Sequence, residues 1–492
     1  MKYTSTRDNK KSVSSAFAIA HGISDEGGLF LPESIPQLSL DDFKLLCGMK
    51  YVERAAFILK KYLTDFSVDE IDYCVKGAYT GSFDDDNPAP LAVLGDKTQV
   101  LELWHGPTCA FKDLALQLLP YLMVTASKKQ CDNKKIVILV ATSGDTGKAA
   151  LEGFCDVENT KIIVFYPSEG VSPMQKLQMT SQKGDNVRVF GIKGNFDDAQ
   201  TGVKKVFTDE SIKEKLSDMG YEFSSANSIN WGRLAPQIVY YISAFCDLMN
   251  QGKDLSGGFN VVVPTGNFGN ILAAYYAKAM GAPIKKLICA SNKNNVLTDF
   301  INSGVYNRNR DFYSTISPSM DILISSNLER MLYLFSEGNA EYVSSLQKSL
   351  SEKGVFEIND DMKQKFKTVF YGGCCDDNET INTIREYYSE YGYLCDTHTA
   401  VALSVYKKYV EETGDDTLTV IASTASPYKF SKSVLSAISD NIPDGEFEAV
   451  EALKEKTNVS VPKPIEALRN AKVRFSDVIE KDGLENAVIS SL

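Results

Sequence analysis

The sequence predicts an α/β protein built on parallel sheets and divided into more than one domain. Three observations carry this. From about residue 96 onward, short continuous apolar runs rich in β-branched residues alternate with helix-forming stretches. The turns that follow these runs are polar, and ATSGDTG, PTGNFGN and STASPYKF are the most distinctive. A chain of 492 residues, 43% hydrophobic, is also too long for one ordinary domain. Apolar runs without alternation belong to strands buried on both faces, as in parallel sheets.

In chain order, residues 1–95 read as a helical N-terminal unit. GGLFLPESIP is a glycine- and proline-containing loop, residues 40–79 are mostly amphipathic helix, and SFDDDNPAP has linker character. Residues 96–440 carry the strand–turn–helix units. The run 136–140 passes through ATSGDTG into KAALEGF, and 162–166 passes through PSEGVSP into a helix from about Met174. The run 187–192 leads through KGNFD to a helix near 199–207. Residues 261–263 lead through PTGNFGN into ILAAYYAKAM, closed by Gly281. The runs 287–290 and 418–422 behave alike, the second entering a helix through STASPYKF. Residues 300–370 are charged and helical, without a strand–turn signature, and read as an insertion. Residues 441–492 read as a short C-terminal extension.

Composition excludes several functions. There are 52 lysines and arginines against 64 acids, a formal net charge of −12, and no basic stretch to neutralise a nucleic-acid backbone. The start, MKYTSTRDNKK, has no apolar core, and no stretch reaches membrane-spanning length, so a cytoplasmic protein is expected. The ten cysteines are scattered without a CxxC, which fits reduced thiols. With three histidines, His21, His105 and His398, no metal site is expected and a histidine-based triad has few ways to form. His398 reads as a residue near a helix N-terminus, without chemistry of its own.

Ligands of parallel sheets lie beyond the carboxyl ends of the strands, where the polar turns gather. In WHGPTCAFKDLALQ, Lys112 stands at a helix start behind apolar Ala110 and Phe111, before a stretch poor in charge. Taken alone it could be an exposed helix-start lysine; desolvation there would favour the neutral, nucleophilic amine. PTGNFGN lacks the lysine and hydroxyl of a P-loop and a full GxGxxG. Its glycines nevertheless permit close backbone approach, and it opens a helix whose first N–H groups are free for a phosphate. SGDTG and Thr424 could each be simple helix caps, and NSINWGR a surface helix start. An imine-forming lysine plus a separate phosphate cradle is what pyridoxal phosphate (PLP) requires.

Together, EGGLFLPESIP, ELWHGPTCAFKD, ATSGDTGKAA, NSINWGR, PTGNFGN, DTHTAVA and STASPYKF, in that order over nearly the whole chain, resemble threonine synthase in its long bacterial and fungal form. The resemblance implies the tryptophan-synthase-β type of PLP fold (fold type II). That is two α/β subdomains, the smaller over about 120–240, with the cofactor between them and a helical N-terminal domain. It implies Lys112 as the PLP lysine and Gly266, Asn267, Phe268, Gly269 and Asn270 as the phosphate cradle. Thr424 would meet the pyridine nitrogen and Asp145 would lie near the ring hydroxyl. Thr142, Ser143, Asn227 and Arg233 would hold the substrate's phosphate. Asp145 stands where many wider relatives carry asparagine, and SPYKF stands where some members carry HPAKF.

The implied reaction is β,γ-replacement on O-phospho-L-homoserine, giving L-threonine and phosphate, with Lys112 moving successive protons. The expected partner is that small molecule, in a monomer or homodimer, without nucleic acid or membrane. Alternatives stay open: a phospho-lyase giving 2-oxobutyrate, ammonia and phosphate, a dehydratase of the same fold, or a non-catalytic phosphate-binding protein.

Overall fold

A computed structural model of the chain describes residues 1–492 apart from 131–133, 143 and 169–170, with the backbone alone at 196–197. Two sheets organise it. The large sheet has six strands in the order Phe370–Cys374, Ile284–Ser291, Phe259–Pro264, Thr419–Ser423, Thr98–Glu102 and Leu91–Val93. All neighbours run parallel except the last pair. The small sheet has five parallel strands in the order Val478–Ile479, Val187–Ile192, Thr160–Pro167, Lys135–Ala141 and Tyr221–Ser224.

The continuous apolar runs follow from burial on both faces. In the large sheet, Val261 and Val263 enter one core while Val262 enters another on the opposite face. In the small sheet, Ile136, Ile138 and Val140 share that first core, and Val137 and Leu139 point into a third. Successive strand residues face opposite sides, so every position had to be apolar. The first core thus joins one face of each sheet into a single hydrophobic body.

Helix Trp231–Asn250 runs through this body, against helix Gly269–Ala279 and the N-terminal helices Leu40–Cys47 and Tyr51–Tyr62. Its first residue, Trp231, is fully buried among Tyr3, Tyr62 and Tyr276, with ring centroids 5.4–5.6 Å away. Residues of the N-terminal unit therefore help to build the central core.

Two segments differ from expectation. Residues 300–370 include an antiparallel pair, Val305–Asn307 with Val355–Glu357, and lead into Phe370–Cys374, an edge strand of the large sheet. The strand was hidden because FYGGC is short and carries two glycines. Residues beyond 440 do not stand apart. Val478–Ile479 adds an edge to the small sheet, and helix Leu484–Ser490 buries Leu484 and Val488 against its outer face. Among the described residues no helix is long and apolar enough to cross a membrane, and no group of histidine, cysteine and acids could hold a metal.

Candidate active site

The turn carrying Lys112 is shaped by its own neighbours. A Cβ at Gly106 would fall 2.6 Å from the Asp113 side chain, so glycine lets the chain double back over it. The Asp113 carboxylate accepts the Thr108 N–H at 2.8 Å and the Thr108 hydroxyl at 2.6 Å, and Cys109 takes φ 57° between them. Burial pushes the Asp113 carboxyl up to about 6, against the lowering effect of those bonds. The loop is also tied to the end of strand Thr419–Ser423. Phe111 N donates to Thr424 O at 2.9 Å, and Ser426 N to Cys109 O at 3.1 Å. Thr424 is therefore beside Lys112, at the N-terminus of the short helix Asp113–Leu116.

Lys112 is buried, and its ammonium lies 3.5 Å from Asp145 Oδ2 and 3.4 Å from Ser319 Oγ. Desolvation lowers its pKa; Asp145 opposes this, while Lys429 and Arg233 add to it as neighbouring cations. Asp145 opens helix Asp145–Gly153. Burial alone would raise its pKa, but Lys429, with its ammonium 2.7 Å from Oδ1, and Lys112 hold it well below the ordinary value. Gln175 Nε2 donates to Oδ1 at 3.0 Å, and Ser319 Oγ to Oδ2 at 3.2 Å.

The second half of the site follows strand Phe259–Pro264. The chain turns through Gly266 and Asn267 to Phe268, whose φ of 63° starts helix Gly269–Ala279. Phe268 buries its ring against Phe370, centroids 5.5 Å apart, so only its backbone serves the turn. Gly266 is needed because a Cβ there would lie 2.9 Å from Ser319 O. Ser319 thus adjoins both Lys112 and this turn, and brings the two halves together. Asn270 gives its carbonyl oxygen to the Tyr240 and Tyr241 hydroxyls, at 2.8 and 2.5 Å. Its buried Nδ2 has no partner among the described residues. An orphaned donor in the first turn of a helix calls for an anion.

The residues expected around a substrate phosphate divide. Arg233 is buried, donates to Ala226 O at 2.9 Å, and has its pKa lowered to about 10 by desolvation. No ion pair with a described carboxylate offsets that burial, which suits a guanidinium kept for an anionic ligand. Asn227 is exposed on the same loop, where its carbonyl accepts the Asn230 N–H at 3.1 Å. The Thr142 hydroxyl accepts the Gly144 and Gly147 N–H groups, both at 3.0 Å, and so is committed to the turn itself. Ser143 lies outside the described residues.

Sequence reading missed three members of this cluster: Lys429, Ser319 and Gln175. Lys429 had a signal, a lysine inside a polar turn at a strand's carboxyl end. Ser319 had none, because nothing in residues 300–370 announces that Pro318–Met320 reaches the site. His398 lies in the first turn of helix Thr397–Thr413, near its N-terminus as expected, with Asp396 as N-cap, and its Nε2 also accepts the Ser319 N–H at 3.1 Å.

A buried lysine at one end and an orphaned donor in a glycine cradle at the other fit a ligand with an aldehyde and a phosphate. Comparisons agree. The chain matches the family described as Threonine synthase N terminus over residues 2–79 and Pyridoxal-phosphate dependent enzyme over 100–424. It also matches Threonine synthase, C-terminal, over 399–486. It is 41% identical to human threonine synthase-like 1 over 88% of this chain, but spans only 59% of that protein's length. It is 35% identical to the threonine synthase of Saccharomyces cerevisiae, over 95% of this chain and 97% of that one. The PLP-bound threonine synthase of Brucella melitensis superposes with a TM-score of 0.89 at 36% identity, covering 100% of this chain and 99% of the other. The yeast enzyme superposes at 0.90 with 32% identity, covering 100% and 98%. Fold, site and full-length similarity agree, and the chain belongs to the threonine synthase family of PLP-dependent enzymes.

Proposed function

We propose that this protein converts O-phospho-L-homoserine and water to L-threonine and phosphate. The observation that carries the reading is the burial of Arg233 without a described carboxylate partner, close enough to Lys112 to depress its pKa. A site that held PLP alone would not need a second buried cation reserved for an anion.

In this reading Lys112 and the cradle Gly266, Asn267, Phe268, Gly269 and Asn270 hold PLP, with Thr424 and Asp145 beside its ring. Bound there, the cofactor supplies an aldehyde for the amine and an electron sink for carbanion chemistry. Lys112 Nζ, whose pKa is lowered by desolvation, takes protons from the α and β carbons and delivers protons to the γ carbon that phosphate leaves and back to the α carbon. Arg233, with Asn227, Ser143 and the Thr142 turn, binds the phosphate that departs from the γ carbon. Asp145, kept ionised by Lys429, gives the lysine a fixed acceptor. Water adds at the β carbon. We place the activity in the cytoplasm, in keeping with cysteines that are all unpaired among the described residues.

The same machinery could serve elimination to 2-oxobutyrate, so the product decides. Incubation with O-phospho-L-homoserine should release phosphate and threonine in equal amounts. Phosphate accompanied by 2-oxobutyrate and ammonia would establish the lyase instead.

A further inference from the structure

The most enclosed charge contact of the site joins Lys429 and Asp145, with side-chain exposures of 0% and 3%. Lys429 lies in the turn Pro427–Phe430 and also donates to Thr108 O at 2.9 Å, so it is anchored to the Lys112 loop as well. One carboxylate thus stands between two ammonium groups, Lys429 on Oδ1 and Lys112 on Oδ2. Gln175 and Ser319 complete its hydrogen bonds.

An anionic carboxylate next to a site for two phosphates is electrostatically out of place unless something neutralises it. We infer that Lys429 is a positioning residue that forms one charge-neutral unit with Asp145, letting a carboxylate stand beside the cofactor lysine. This deepens the reading of Lys112 as that lysine and rests on it. The unit cannot lose one member cheaply, because a lone buried charge remains; losing both leaves no charge behind. The charged groups facing Lys112 are Asp145, Lys429 and Arg233. Asp113 spends both oxygens on Thr108, and His398 reaches the site through the Ser319 backbone.

A double-substitution cycle on the full, cofactor-free chain tests this. Two quantities are read for K429M, D145N, the double variant and K429R. One is the melting temperature. The other is the pH at which Lys112 becomes reactive toward an amine-acylating reagent, followed by peptide mass spectrometry. K429M removes a repelling cation, so the Lys112 midpoint should rise by roughly one pH unit; D145N should lower it by a similar amount. The double variant should return near the parent midpoint and regain most of the lost melting temperature, while K429R keeps both. An unmoved midpoint in K429M, or single losses of melting temperature that simply add in the double variant, would overturn the inference. If K429M does not fold, the double variant decides: a folded one supports the unit and an unfolded one rejects it. Failure of the underlying reading looks different. A holoenzyme of Lys112→Ala that kept the visible absorbance of lysine-linked cofactor would remove that reading, yet leave the coupling in the cofactor-free chain intact.

Discussion

Arg233 makes its described hydrogen bond to a single backbone oxygen, Ala226 O, although its side chain is buried. That leaves most of the guanidinium's donors for a ligand. Arg233→Ala should therefore lower kcat/KM for the phosphorylated substrate at least 100-fold, about 3 kcal/mol, while cofactor affinity changes little. Parallel losses in both would remove Arg233 from the substrate site. Asp113 yields a pH prediction. Its carboxyl is raised from 3.8 to about 6, so between those values the folded chain keeps a proton that the unfolded chain has released. Stability contributed by that proton is full below the lower value and declines as pH rises through the interval, by up to roughly 3 kcal/mol. Asp113→Asn cannot titrate. Its melting temperature relative to the parent should therefore climb from about pH 4 to about pH 6.5, and a constant difference would contradict the assignment. Lys112 and Arg233 were legible in the sequence because both stand in compact motifs beside a helix start. Ser319 was not, since a serine in a long charged segment carries no local mark of the contact it makes across the fold.

At the level of elements, the N-terminal unit reaches the proposed phosphate cradle through one buried arginine. Arg330, on helix Leu328–Phe335, donates to Phe30 O through both Nε and Nη2, at 2.9 and 2.8 Å, and also bonds Asn327. Asn327 N in turn donates to Asn267 O at 3.0 Å, and its side chain to Ser228 O at 3.1 Å. GGLFLP thus braces the turn that opens helix Gly269–Ala279, although some 240 residues separate Phe30 from it. Arg330→Met should cost about 2–4 kcal/mol of stability and weaken cofactor retention, measured by thermal unfolding and by cofactor fluorescence titration. Retention unchanged in a destabilised variant would show that the brace serves folding alone. The parallel strands were readable because burial on both faces forces unbroken apolar runs. The edges were not: Phe370–Cys374 and Val478–Ile479 are short and pair on one side, so neither needs such a run.

For the whole molecule, the core shared by one face of each sheet and the N-terminal helices places the two α/β bodies side by side. The Lys112 loop ends a strand of the large sheet, and Asp145 opens a helix of the small one. Their 3.5 Å contact lies where the sheets' carboxyl ends meet. Sequence reading found these turns by the rule that ligands collect at strand ends. It could not find how the sheets dock, because that depends on side chains such as Trp231 meeting residues far away in the chain. The central claim is that one desolvated lysine and a separate anion site carry a phosphate from carbon and put water in at the neighbouring carbon. Turnover of O-phospho-L-homoserine in heavy-oxygen water tests it most directly, with mass spectrometry of both products. The account predicts one heavy oxygen in the hydroxyl of threonine and none in the phosphate, since the carbon–oxygen bond breaks. Heavy oxygen in the phosphate, or 2-oxobutyrate in place of threonine, would contradict it.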